Sequence, residues 1–374
     1  MKTVCIITTE HSPDDVRVTY RIGTTFIKHG YKVDWIGPES KNIPSIDGLN
    51  FYFIKSSNRF FLLIKLFFKL CCKKYDAFYS VDPDSALLSL LLRIINHSKC
   101  IFDIHERYHD DLLRLKGFTS IKFNVFSFLL KSIIQFNITY SDFVIGVGSS
   151  RFEPYKFSKK RQLILGHCVP YEYVQSISRE DICMNNFTIL HGKAAISRGT
   201  IKILEVGKLL KEFYLVSDFK IIMFKLHGKQ QKSNIDDFDK LIRSYGLNDN
   251  VVVLDSVQYI EMFKIMSTCH VGIIAYDYDL GINCVPNRFF EYISCGLPSI
   301  YPIFAKDLVR IDPNQSIGIP VDTSNPNEIA NALYTLYNDR TLYSVLRSNC
   351  FSLYDEKLRW EDQVLPLLNF IDSN

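Results

Sequence analysis

The chain has 374 residues, with 44 Lys+Arg against 40 Asp+Glu and a formal net charge of +4. That length predicts two domains, or three, and 47% hydrophobic with 22% charged residues is a globular balance that excludes long disorder and collagen-like or mucin-like chains. So small a net charge argues against nucleic acid, but it is unevenly placed: residues 1–170 carry 24 Lys+Arg and 15 Asp+Glu, and residues 171–374 carry 20 and 25.

The opening MKTVCIITTE has one Lys, a short apolar run and no small-residue cleavage site, and reads as a first buried strand rather than a signal peptide. VCIIT (4–8) is that strand. A helix from about Val16 to Lys28 follows, stopped by Gly30, and then strand YKVDWIG (31–37). Further strands are expected at 50–54, 76–81, 99–105, 142–148 and 162–167, with helices near 59–74, 84–95 and 119–140. The cycle restarts with strand 186–192 and a helix from Ser197 to Phe213. Strands 219–228, 250–256, 270–276 and 297–302 then alternate with helices 236–246, 260–269 and 287–296, and helices fill 325–350 and 357–370. Strands separated by helices predict βαβ units with buried parallel sheets, so the fold class is α/β with two Rossmann-like domains. The boundary is expected in the weakly patterned stretch 169–186.

The ten cysteines include no Cys-x-x-Cys and read as free thiols, most of them buried, in a reducing cytoplasm. No stretch has 18 uncharged apolar residues. The closest, 123–140, is interrupted by Lys131, Asn and Gln, so no membrane span is expected.

Open α/β sheets bind ligands beyond the carboxyl ends of their strands. Polar residues crowd those loops at 11–17, 103–111, 191–199 and 276–291, and the loop after Leu254 lies at the same kind of edge. In HGKAAISRG (191–199), Lys193 and Arg198 fall near a helix N-terminus, which suits a diphosphate. The alternative is a pair of solvated surface cations. In PNRFFEYISCGLPSI (286–300), Asn287 can cap a helix that Gly296 stops. Glu291 there either serves a ligand or only complements the helix dipole. Asp82-Pro-Asp84 and Asp277-Tyr-Asp279 have the spacing of a metal-binding Asp-x-Asp, but Asp84 reads as a helix N-cap after Pro83, and no good metal site is expected.

The 286–300 stretch resembles the signature of GT-B glycosyltransferases of the GT4 family, in which a Pro-x-Lys/Arg-x-Phe-Glu-Tyr block precedes a Gly-x-Pro strand entry. HSPDDVRVTYRIGTTFIKHGYKVDWIGP (11–38), DIHE (103–106), GKAAISRG (192–199) and 226–257 are similar to further anchors of that family, in the family's order. The resemblance implies two Rossmann-like domains whose parallel sheets face a central cleft. Residues 1–170 would bind the acceptor, 171–356 the nucleotide-sugar donor, and 357–374 would form a helix crossing back to the first domain. Glu291 would bind the ribose hydroxyls, and Lys193 and Arg198 the diphosphate. His105 would lie near the reacting sugar, and Asp15 and Arg17 in a loop closing over donor and acceptor. The donor site would also take in Leu254, Cys284 and Val285.

One position departs from the pattern. The first carboxylate of the family's glutamate pair would stand at residue 283, which is Asn283. Asparagine can hydrogen-bond a sugar but cannot offset positive charge in an oxocarbenium-like transition state, so backbone N–H groups of the GINCV loop would hold the sugar instead. The implied activity is metal-independent transfer from a nucleotide-sugar to a lipid-linked or growing surface polysaccharide acceptor, with retention of configuration and no cofactor. A sugar-nucleotide epimerase on the same fold and a non-catalytic binding partner are the alternatives.

Residues 55–74 hold six cations, no acid and a broad apolar girdle; residues 112–141 again have no acid; and RFEPYKFSKKR (151–161) adds five cations. These segments predict peripheral contact with an anionic membrane, on the cytoplasmic face of the cell membrane.

Overall fold

The computed structural model describes residues 1–40, 43–56, 58–104, 108, 121–156, 162–180, 182–183, 185–225 and 238–373, with the side chains of 121–123 left aside. They divide into two compact units, residues 1–166 with 364–374 and residues 167–363.

The first unit is built on seven parallel strands: β1 (Thr3–Ile7), β2 (Lys32–Pro38), β3 (Leu49–Ile54), β4 (Ala77–Ser80), β5 (Lys99–Ile104), β6 (Phe143–Gly146) and β7 (Gln162–Ile164). Their order is β3-β2-β1-β4-β5-β6-β7, so the winding reverses between β1 and β4, the kind of place at which open α/β sheets bind ligands. The inner strands are continuous apolar runs because helices bury both their faces: Val4 to Ile7 and Ala77 to Tyr79 are fully buried.

The predicted helix 16–28 is a π-helical segment, Val16–Gly23, that tightens into α1 (Thr24–Lys28). The wide turn begins where Asp15 accepts the Arg17 and Val18 amides, both at 2.8 Å. In α2 (Arg59–Leu70) the i, i+4, i+8 stripe Leu62, Leu66, Leu70 packs against Phe78, Leu88 and Leu92. The helix stops at Leu70 rather than at 74. In α3 (Pro83–Asn96) the N-cap is Asp82, with Pro83 in the first turn, so Asp84 lies inside the helix and is not its cap. Ser85 Oγ accepts the Asp82 amide at 3.1 Å. The 20-residue α4 (Ile121–Tyr140) completes this unit's long helices and buries Ile134 and Ile138 beside Phe102 and Val144.

The second unit has six parallel strands: β8 (Phe187–Lys193), β9 (Phe219–Phe224), β10 (Val251–Leu254), β11 (Val271–Ile273), β12 (Ser299–Pro302) and β13 (Gly318–Val321), in the order β10-β9-β8-β11-β12-β13. The reversal here lies between β8 and β11. Its helices are α5 (Tyr171–Val174), α6 (Thr200–Glu212), α7 (Phe238–Ser244), α8 (Tyr259–Ser267), α9 (Tyr278–Gly281), α10 (Asn287–Ser294), α11 (Lys306–Ile311), α12 (Pro326–Asn338) and α13 (Arg340–Lys357). Pro286 holds the N-cap position of α10, so Asn287 is its first helical residue rather than its cap. The helical stretch expected over 325–350 is divided in two, because Asp339 leaves helical geometry and accepts the Leu342 amide at 2.8 Å, starting α13 afresh.

The last helix, Trp360–Asp372, contributes its C-terminal part to the first unit. There Phe370 stacks on Phe143 with ring centroids 4.9 Å apart, Lys99 donates to the Phe370 carbonyl at 2.7 Å, and Tyr31 donates to Asp372 at 2.8 Å. All ten cysteines are free thiols, six of them buried. No helix among the described residues is long and apolar enough to cross a membrane.

The helix expected from Ser197 begins as a 3₁₀ turn, Ile196–Arg198, and breaks at Gly199 before α6. Gly199 has φ +81°, and a Cβ there would meet the Ala275 carbonyl oxygen at 2.2 Å. Left-handed strain and a backbone clash together predict that Gly199→Ala destabilises the protein by about 2–4 kcal/mol. The measurement is a shift in the denaturant midpoint at unchanged m-value.

Candidate functional site

The carboxyl edge of β8 gathers several cations of the second unit. Lys193 is the last residue of β8, and Arg198 ends the 3₁₀ turn after it. Gly192, at φ +91°, lets the chain turn there, and its missing Cβ leaves room for the Arg288 guanidinium, which a Cβ would meet at 2.5 Å. Arg288 comes from the first turn of α10 and donates to the His191 carbonyl. Arg198 donates to the Tyr276 hydroxyl, with its guanidinium carbon 5.2 Å from that ring's centre. Lys202, in the first turn of α6, is bound by Asp277 at 2.6 Å and the Thr323 carbonyl at 2.7 Å.

The three cations Lys193, Arg198 and Arg288 feel one another. Desolvation, then Arg198 and Arg288, pull the Lys193 ammonium below its ordinary pKa, and Glu291 acts the other way. Beneath them His191 is fully buried and neutral, its pKa lowered to about 3 by burial and then by Arg288, Arg198 and Lys202. Its Nε2 lies 2.9 Å from the Thr200 hydroxyl, which also accepts the Ala195 amide at 2.8 Å, so the buried imidazole props the turn that carries the cations.

Glu291 is buried in α10 and accepts a hydrogen bond from Tyr259 at 3.0 Å. Asn283 and Cys284 are half-buried and Val285 is buried, in the loop between α9 and α10. Leu254 ends β10, at the same carboxyl edge but two strands away from β8. Lys193, Arg198 and Glu291 are thus brought together, with Asn283, Cys284 and Val285 on the segment leading into the helix of Glu291.

The first unit has its own expected residues. His105 falls outside the described residues. Asp15 caps the π-helical segment. Arg17 is buried, and its guanidinium donates to both oxygens of Asp103, at 2.7 and 3.0 Å, and to the Leu165 carbonyl at 3.0 Å. Tyr79 donates to the same Asp103 at 2.5 Å. Arg17 therefore ties the end of β5 to the chain leaving the unit. Of the two Asp-x-Asp pairs, Asp82 and Asp84 are bound by Thr8, Thr9 and Arg59, and Asp277 by Lys202. Among the described residues no three His, Cys, Asp or Glu side chains converge as a metal ion requires.

Arg288 and His191 were not singled out from the sequence. The signal for Arg288 was present, since it occupies the Lys/Arg position of the 286–292 block. His191 carried none, because only the fold shows it beneath the cations.

No family model and no curated protein matches this chain. Among solved structures it is similar to sucrose-phosphate synthase from Thermosynechococcus elongatus, with TM-score 0.75, 13% identity and 99% and 98% of the two chains covered. Anabaena HepE in complex with UDP gives TM-score 0.73, 12% identity and full coverage of both chains. A glycosyltransferase from Rickettsia africae gives TM-score 0.74, 14% identity and 99% and 97% coverage. The fold is that of the GT-B glycosyltransferases.

Because Arg288 adds a third cation to the edge of β8, Arg288→Ala is expected to weaken binding of inorganic pyrophosphate about tenfold, the worth of one charge-assisted hydrogen bond. Calorimetric titration measures this, and Arg288→Lys should recover part of the loss.

Proposed function

We propose that the protein is a glycosyltransferase that uses a nucleotide-sugar, with UDP as the nucleotide to test first. The observation that carries this reading is the cluster of Lys193, Arg198 and Arg288 at the carboxyl edge of β8, next to the buried carboxylate of Glu291. Mutually repelling cations are stabilised by a diphosphate, and stabilised more as the glycosidic bond breaks and charge builds on the leaving oxygen. Cations that favour the separated charge supply transition-state stabilisation without a metal. Glu291, an acceptor held by Tyr259, suits the ribose hydroxyls. The complexes of HepE with UDP and UDP-glucose accord with this assignment.

The resemblance to the GT4 family carries retention of anomeric configuration, with Asn283 in place of a carboxylate beside the sugar, and a lipid-linked or surface-polysaccharide acceptor. Lys193→Ala is expected to lower kcat about 100-fold, and Glu291→Ala to raise the donor KM. Coupled detection of nucleoside diphosphate release measures both, and NMR of the product reads its anomeric configuration. Full turnover in both variants would overturn the site assignment.

We further infer that the first unit rests on an anionic membrane from the cytoplasmic side. In α2, Phe60, Phe61, Ile64 and Phe68 are exposed on the face opposite the buried leucines, with Lys65 among them. The neighbouring α3 exposes Leu91, Ile94 and Ile95, and α4, packed on α3, exposes Val125, Phe126, Phe128 and Leu129. Ile94 is 74% exposed, Phe68 71% and Phe128 70%, more than isolated surface apolar residues need. Helices that expose aromatic side chains beside lysines, with no acid on α2 or α4, match the interface of an anionic bilayer. Cosedimentation is expected with vesicles containing phosphatidylglycerol and not with pure phosphatidylcholine vesicles. The double substitution Phe61→Ser/Phe68→Ser should lower partitioning about tenfold or more.

A further inference from the structure

Two adjacent cysteines at the end of α2 take no part in the nucleotide reading. Cys71 is the C-cap of the helix: its amide donates to the Phe67 carbonyl at 2.8 Å and its thiol to the Phe68 carbonyl at 3.4 Å. Cys72 follows in the turn, and the two sulfurs are 3.8 Å apart. Neighbouring positions within a helix do not face each other, so this approach depends on the pair standing where the helix ends. The turn is held in place by α3: Asn96 donates to the Leu70 and Lys73 carbonyls at 3.4 and 2.8 Å, and the Lys73 amide bonds the Leu70 carbonyl at 3.0 Å.

Access sets this pair apart from most of the other thiols. Cys72 is exposed and Cys71 half-buried, whereas six cysteines are buried. Burial pushes the Cys100 and Cys269 thiols up to about 12, and a thiol that keeps its proton is a poor nucleophile. Cys183 and Cys284 can also be reached, but each stands singly in the sequence. Desolvation, and then the hydrogen bond and charge of Cys72, hold Cys71 above its ordinary pKa. Cys71 is therefore the sulfur that keeps its proton, and the exposed Cys72 is the one placed to attack. Lys65, Lys69, Lys73 and Lys74 flank the pair along the chain, with no acid in 55–74. The Lys69 and Lys73 ammonium groups lie 5.2 and 4.8 Å from the centre of the Tyr52 ring, which keeps both beside the turn. Such a surface attracts an anionic reagent.

We propose that Cys71 and Cys72 form a thiol–disulfide switch that reacts with anionic low-molecular-weight disulfides, of which glutathione disulfide is the probe. The Cys72 thiolate attacks one sulfur of the reagent, whose S–S bond breaks as one thiolate leaves with the electron pair. Cys71 then gives its proton to water and attacks Cys72 Sγ, and the second reagent thiolate leaves as the Cys71–Cys72 bond forms. Two protein thiols are oxidised and one external disulfide is reduced by two electrons to two thiols. In a reducing compartment, a disulfide of this kind is transient and serves as a sensor. Cα atoms of adjacent residues are about 3.8 Å apart across a trans peptide, closer than the usual disulfide span, so the bond is readily reduced again. Closing it also draws Cys71 out of its αR conformation, φ −60° and ψ −27°, and takes its thiol from the Phe68 carbonyl. The last turn of α2 thereby answers to the thiol state, whatever sugar the protein transfers.

The test follows the reduced protein in glutathione disulfide by peptide mass spectrometry. In wild type the peptide holding both cysteines is expected to lose two hydrogens and carry no adduct, and dithiothreitol should reverse this. Cys183, exposed in the second unit, reports the reaction of a single thiol in the same sample. Cys71→Ser is expected to stop at the mixed disulfide on Cys72, and Cys72→Ser to react at least about tenfold more slowly than wild type. One equivalent of phenylarsine oxide, a trivalent arsenical that bridges two close thiols, should block both sulfurs of the wild-type pair toward maleimide. In the oxidised protein the Cys71 amide is expected to exchange its hydrogen faster, as the turn opens. A wild-type pair that stops at a glutathionyl adduct, or that the arsenical fails to block, overturns the switch without recourse to any variant. Cys72→Ser reacting as fast as wild type overturns the assignment of the attacking sulfur, and unchanged exchange at Cys71 overturns the coupling to the helix.

Discussion

Like charges held close together in a partly desolvated site repel one another, and this constraint organises the second unit. Lys193, Arg198 and Arg288 are close enough for the arginines to lower the lysine's pKa. The chain accepts that repulsion through several specific devices. Gly192 and Gly199 turn the backbone in left-handed conformations, the Tyr276 hydroxyl and ring hold Arg198, and the His191 carbonyl holds Arg288. His191 contributes by staying neutral, since a protonated imidazole beneath three cations would add a fourth charge. An anion with more than one negative charge would relieve that repulsion.

The first unit is organised around the opposite case, a buried pair of opposite charges. Arg17 and Asp103 are both in the interior, and Arg17 uses its whole fork on the carboxylate and on backbone carbonyls. Such a pair adds little net stability, but it fixes geometry, because separating the partners would strand a charge. Here it locks the start of the π-helical segment to the end of β5 and to the chain at Leu165 and Gly166. The same segment begins at Asp15, which with Asp82 flanks the His11 imidazole, at 3.4 and 3.6 Å. The rigid interior pair and the looser His11 cluster therefore share a backbone, and wide helical turns of this kind often occur at functional sites.

Much of the architecture was legible because parallel sheets leave a strong sequence mark. Runs such as VCII and FTIL alternating with helical stripes such as Leu62, Leu66 and Leu70 require buried strands and covering helices. The breaks were less legible. Nothing in 197–213 shows that Gly199 must admit the Ala275 carbonyl, and the helix 16–28 carries the same periodicity whether its first turns are α or π. At the site, Lys193 and Arg198 stood out because cations are unusual near a helix N-terminus, and Glu291 stood out through the resemblance of its stretch to the GT4 signature. Arg17 also stood out, but the structure places it in the interior, a location its local sequence does not reveal. His11 lay in a loop whose interest was plain, yet its partner Asp82 is 71 residues away and seemed only part of a helix start.

The sequence by itself determined the fold class, the two-unit organisation of sheets, the basic and apolar character of α2 and α4, and the presence of cations at the edge of β8. These follow from local periodicity and composition, which act over a few residues at a time. Tertiary structure alone decided which polar groups meet: Arg288 against Gly192, His191 beneath the cations, Arg17 on Asp103, and His11 between Asp15 and Asp82. The reason is that strand order, not sequence distance, sets adjacency. Placing β1 beside β4 and β8 beside β11 brings chain segments about 70 to 100 residues apart to one edge of a sheet, and hydrogen bonds, charge repulsion and desolvation act only once they are there.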